Sequence, residues 1–117
     1  MDQTHKVGDF LIFQLESAFA LLRILAIDGE GDDRVWHLAG YSDLFFEIDQ
    51  AEKAALDGKL TVSHPHLALT NRGFASTQVA RLVNIPLTDS DLSALKTWRD
   101  SKAEPADRSV RLLMGLR

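Results

Sequence analysis

The bulky, β-forming residues of this chain concentrate between Asp9 and Tyr41, in strand-length runs separated by polar residues. The first run, Asp9 to Glu16, opens as an unbroken apolar block and ends in alternation, with Leu11, Phe13 and Leu15 opposite Gln14 and Glu16. A strand covered on both faces at its start and on one face at its end has this signature. Ser17 and Ala18 leave room only for a short connection before Phe19 to Ile27, so the two runs read as a β-hairpin. The Ala and Leu content of Ala18 to Ala26 makes a helix the competing assignment there. Asp28-Gly29-Glu30-Gly31-Asp32-Asp33 is a solvated, glycine-rich loop. Arg34 to Tyr41 alternates again, Trp36 and Leu38 opposite Val35, His37 and Tyr41, and extends the hairpin into a meander in which Gly40 marks a bulge or bend.

The pattern weakens after Tyr41. Asp43 to Ile48 fits a short fourth strand or a crossing segment. Asp49 as N-cap, Glu52 three residues on and Gly58 as a left-handed stop predict a short helix near 50–57. Lys59 to His66 and Leu67 to Thr70 read as two edge pieces, punctuated by Pro65 and then by Asn71-Arg72-Gly73. Gln78 to Ile85 alternates, with Val79, Arg81, Val83 and Ile85 opposite Ala80, Leu82 and Asn84, until Pro86 stops it. Thr88 with Asp91 caps a helix near 89–101, whose Leu92, Leu95 and Trp98 form an apolar stripe that puts Trp98 in the core against the sheet. Residues 102–107 read as a polar linker to a short, basic, amphipathic C-terminal segment that docks on its own domain or on a second subunit. The expected fold is one α+β domain over residues 1–117, with a mainly antiparallel sheet curved strongly enough to approach a partial barrel.

Composition narrows the function classes. A chain of 117 residues, 45% apolar, is long enough to bury a core without covalent staples. It has no cysteine, which excludes disulfides and thiolate chemistry and suits a reducing compartment. The start, Met1-Asp2-Gln3-Thr4-His5-Lys6, has no apolar stretch behind a basic one, so a cytoplasmic, bacterial-type protein with no membrane segment is expected. The net charge of −4 is uneven: residues 1–60 hold twelve acidic and five basic side chains, and residues 61–117 hold five and eight. That balance disfavours nucleic acid as a partner and favours a basic protein.

Catalytic and metal signatures are thin. Asp28, Glu30 and Asp32 match the first, third and fifth positions of a calcium loop, but Asp33 stands where glycine is needed and Ala39 where the bidentate glutamate belongs. His64 and His66 flank Pro65 and would share one side of an extended segment; a catalytic metal needs a third ligand, for which His37, His5 or a carboxylate are the candidates. No cofactor motif is present, and no catalytic residue or metal ligand is assigned.

The opening Lys6-Val7-Gly8-Asp9-Phe10-Leu11-Ile12-Phe13, followed by a polar turn and an apolar run carrying Arg23, resembles the start of the Imm26-like immunity proteins of bacterial polymorphic toxin systems. The resemblance covers about the first quarter of the chain. It implies a compact protein that neutralises a cognate toxin by binding it. Independently, the acidic and aromatic stretch Asp43, Phe45, Phe46, Glu47 and Asp49, with the loop carboxylates Asp28, Glu30, Asp32 and Asp33 as a second patch, is the expected face for such a partner. On a strand with one covered face, one of the adjacent Phe45 and Phe46 is expected to remain accessible. The other readings are a small-molecule-binding or regulatory domain, and a metal-dependent enzyme using His64 and His66. Monomer and homodimer both fit. Arg23, charged within an apolar run, is expected beside a carboxylate or at the rim.

Overall fold

The computed structural model describes residues 5–115. Five strands, β1 (Asp9–Gln14), β2 (Phe19–Asp28), β3 (Val35–Tyr41), β4 (Val62–Thr70) and β5 (Ala80–Asn84), form one sheet in the order β4-β3-β2-β1-β5. Every neighbouring pair is antiparallel. The sheet is open, with β4 and β5 as its edges, and does not close into a barrel. The stretch with competing helical propensity is the central strand β2: its residues have cross-strand partners on both sides, and that packing outweighs the intrinsic preference of Ala and Leu.

Two bulges give the sheet's faces their composition. On β2, Ile24 pairs with Leu38 and Ala26 with His37, leaving Leu25 as the extra residue. On β5, Val83 pairs with Phe10 and Arg81 with Leu11, leaving Leu82 extra. Strict alternation put Leu82 opposite Val83; the bulge brings both into the same apolar cluster, with Phe10 and Ile12.

Four helices cover both faces: α1 (Ile48–Leu56), α2 (Asn71–Ala75), α3 (Asp89–Ser101) and α4 (Val110–Leu113). On one face α1 packs Ala51 and Ala55 onto Phe10, Ile12, Leu21 and Tyr41, while α3 packs Leu95 onto Leu25 and Ala39. On the other, Phe74 of α2 with Val110 and Met114 seals Leu11, Phe13, Leu22, Ile24, Trp36, Leu38 and Leu69. The C-terminal segment therefore docks on its own sheet. Residues 102–107 are fastened to β4 rather than free, since Thr70 N–H donates to Ala106 O at 3.0 Å and Ala106 N–H to Ala68 O at 2.8 Å. Leu116 and Arg117, read as part of the same amphipathic segment, lie outside the described residues.

Several local expectations are corrected. Asp43 to Ile48 is not a strand: Phe45 alone forms a bridge with Phe19, prolonging β3 beside β2. Helix α1 starts at Ile48 after Glu47, so Asp49 lies in the first turn and favours the helix dipole instead of capping it. The two edge pieces are one strand of nine residues, and Pro65 is tolerated because it sits on the sheet edge where the register with β3 shifts. Asn71-Arg72-Gly73 is not a turn but opens α2, capped by the Thr70 side chain. A Cβ on Gly73 would lie 2.8 Å from Arg108 O, so glycine is what lets α2 meet the C-terminal segment. On α3 the expected cap of Thr88 and Asp91 is present in full, but Leu95 is the buried residue and Trp98 is half-buried.

Candidate functional site

The residues expected to face a partner divide in two. Around the end of β3, Phe45 is pinned by reciprocal backbone bonds to Phe19, at 2.7 and 2.9 Å, and is half-buried beside the Phe10, Ile12 and Leu21 cluster. Its neighbour Phe46 is 76% exposed, flanked by Leu44 at 50% and Ile48 at 49%. Glu47 and Asp49 are exposed beside them. The Asp43 carboxylate, by contrast, accepts from Thr61 N–H at 2.5 Å and holds the start of β4 in place. The second patch lies at the opposite end of β3, seven residues and roughly 20 Å away, so the two do not form one continuous surface. There Glu30, Asp32 and Asp33 are exposed around a single 3₁₀ turn, whereas Asp28 is engaged from two sides.

Asp28 anchors a chain of polar groups at the contact of β2, β3, β4 and α3. Its Oδ2 lies 2.8 Å from His37 Nε2, and His37 Nδ1 lies 2.9 Å from His66 Nε2. Arg99 Nη2 donates to both Asp28 oxygens, at 2.9 and 3.1 Å. An ionised carboxylate only accepts, so His37 carries its proton on Nε2; His37 Nδ1 then accepts from His66 Nε2–H. His37 is fully buried, and Trp98 covers both rings, with centroids at 5.1 Å from His37 and 5.4 Å from His66. Burial, joined by the charges of His37 and Arg99, pushes the His66 imidazole down to about 4. Burial also lowers His37, against the Asp28 carboxylate, which pulls the other way. His64 does not join this chain: its Nδ1 is 2.9 Å from Ser63 Oγ, and only His66 of the proposed pair meets His37. Among the described residues no group of three or more His, Asp or Glu side chains is arranged to hold a metal ion.

Gly8, Asp9 and Arg23, which are among the residues that carry the family resemblance, fasten the sheet. Gly8 has φ +92°, and a Cβ there would meet Ile85 O at 2.7 Å. Asp9, fully buried, accepts from Lys6 N–H and from Asn84 Nδ2, each at 2.8 Å, and so clamps β1 to β5. Arg23 donates to Ile85 O at 2.7 Å, Pro86 O at 3.1 Å and Asp91 Oδ2 at 3.3 Å, tying β2 to the start of α3. Its expected acidic neighbour is thus Asp91. Beside it the Tyr41 hydroxyl is pushed up by burial, partly offset by the Arg23 charge.

Sequence spacing singled out His64 and His66 as a pair and left His37 without a partner. The meeting of His37 and His66 depends on the β3–β4 register, for which two residues 29 apart give no local signal. No helix among the described residues is long and apolar enough to cross a membrane. Comparisons of the chain with family models, with curated proteins and with solved structures returned no match.

Proposed function

We propose that this chain is a non-catalytic protein-binding module of the immunity type, which neutralises a basic partner by covering it with the surface around Phe46. The observation that carries the reading is local. Three of the seven exposed large apolar side chains among the described residues, Leu44, Phe46 and Ile48, fall within five positions, with the exposed carboxylate Glu47 between them and Asp49 directly after. An accessible aromatic supplies contact energy once desolvated, and carboxylates around it set the encounter rate with a cationic surface. The bridge to Phe19 and the first turn of α1 hold this segment from both ends, so little ordering is required on binding.

Pull-down from cells of the source, comparing the wild type with Phe46→Ala and with the pair Glu47→Lys and Asp49→Lys, identifies the partner by what the variants fail to retain. Against that partner, the lysine pair is expected to slow association several-fold at low salt and less at high salt, with an unchanged melting temperature. Phe46→Ala is expected to act mainly on dissociation. A basic partner that binds all three forms at equal rates would exclude this face.

A further inference from the structure

On the face that carries α1 and α3, the apolar cluster under α1 leaves a gap toward the start of α3. There the side chains of Phe10, Arg23 and Tyr41, from three adjacent strands, form the floor of a cleft of about 320 Å³. One wall is the end of α1 with the following loop, Ala55 to Val62; the other is the β5–α3 link from Ile85 to Asp91. We propose that this cleft binds a small molecule with an apolar body and a single hydrogen-bond-accepting head, a carboxylate or a carbonyl, which is received by Arg23 and Tyr41.

Arg23 is only 7% exposed, and burying a guanidinium is costly unless its donors are used. Its bonds to Asp91, Ile85 and Pro86 account for three of the five N–H groups of an arginine. The remainder is one Nη1–H and the Nε–H; Nε is buried, without a hydrogen-bond partner among the described residues, and is closed off from the cleft. Fastening β2 to α3 therefore leaves one Nη1–H of this side chain uncommitted at the edge of an open volume. The guanidinium also lies 4.7 Å from the Phe10 ring centroid, a cation–π contact that holds it over an aromatic floor. Tyr41 adds a hydroxyl next to it. Around these two polar groups the lining is apolar: Ala55, Leu60, Ile85 and Pro86 inside, with Val62 at 50% exposure at the mouth. A concave, mostly apolar site with a few converging polar groups is the usual form of a small-ligand pocket, and this volume stands near the lower limit of about 300 Å³. It has room for roughly ten waters by their share of liquid volume, so the body of the ligand is a single ring or a short chain.

Asp91 already neutralises part of the Arg23 charge, so an accepting atom, and not a full negative charge, is the shared requirement. Amide-detected NMR titration with 3-phenylpropionate, 3-phenylpropionamide and 3-phenylpropylamine separates the cases. Saturable shifts confined to residues around 23, 41, 55–62 and 85–91 are expected with the carboxylate, the amide or both, and not with the amine. Tyr41→Phe keeps the ring and is expected to weaken binding about threefold to tenfold, as for one lost hydrogen bond. Val62→Trp fills the mouth from a half-exposed position and is expected to abolish the shifts with the melting temperature retained. No saturable shift from any probe, equal binding of the amine, or unchanged binding to a folded Val62→Trp variant would each overturn the assignment. The cleft is independent of the Phe46 surface, since Glu47→Lys and Asp49→Lys leave its lining intact.

Discussion

Between pH 7 and pH 4 the protein is expected to lose about 2–3 kcal/mol of stability through the histidines under Trp98. His66 titrates near 4 in the folded protein against an ordinary value of 6.5, and His37 is lowered as well. A base whose folded value is depressed binds fewer protons folded than unfolded across that interval, so stability is complete above about 6.5 and falls as the pH drops toward 4. The full shift of His66 would correspond to about 3 kcal/mol, and its partial exposure reduces this. Burial under Trp98 is the main source of the resistance to protonation, because a charged imidazole loses its solvation there. One added proton can be held on His66 Nδ1 with the chain intact, but a second, on His37, sets N–H against N–H. Arg99 faces Asp28 from α3 and opposes both protons by its charge. Urea unfolding at successive pH values measures the slope, and His66→Gln, which keeps an N–H donor but does not titrate, is expected to remove at least half of it. An identical slope in that variant would assign acid sensitivity to groups elsewhere.

Phe74→Ala is expected to cost about 3–5 kcal/mol, a large share of the roughly 5–15 kcal/mol that holds a domain of this size. Phe74 is buried and lies stacked on Trp36, with centroids 4.1 Å apart and planes at 13°. Helix α2 has only five residues and cannot persist without such an anchor. Its loss also frees Gly73 from the segment around Arg108, and with it the seat of α4. Chemical denaturation gives the cost, and exposure of Trp36 gives a red-shifted emission in the folded baseline. A midpoint close to that of the wild type would mean that α2 and α4 contribute little to the core.

What could be read along the chain was what local chemistry decides. The alternation of β1 and β3, the Thr88 and Asp91 cap and the Gly58 stop are properties of a few neighbouring residues, and each is found where the pattern put it. That one of Phe45 and Phe46 stays accessible was legible too, but which one was not, since it is the bridge to Phe19 that holds Phe45 and leaves Phe46 outward. The bulges at Leu25 and Leu82 were not, because an extra residue is defined by the partner strand and not by its own. Helix α2 was hidden by a glycine whose local signal is a turn and whose actual reason is a neighbour 35 positions later, Arg108. Asp43 read as a free recognition carboxylate, yet its acceptor role is set by Thr61, across the loop that contains α1. Arg23 was recognised as needing a carboxylate, but Asp91 could not be named before the fold brought α3 over β2.

The strand order has a kinetic meaning. β1 to β4 form a meander whose links are local, apart from the insertion of α1, whereas β5 joins the opposite edge by pairing with β1, through contacts such as Asn84 with Asp9, separated by 75 positions. Closing that loop costs entropy before any contact is gained, so the edge pairing forms late, after the meander has collapsed. Weakening it, for instance by Asn84→Ala, is therefore expected to hasten unfolding while leaving the refolding rate nearly unchanged. The clamp made by Asp9 thus governs how long the native state lasts more than how fast it is reached.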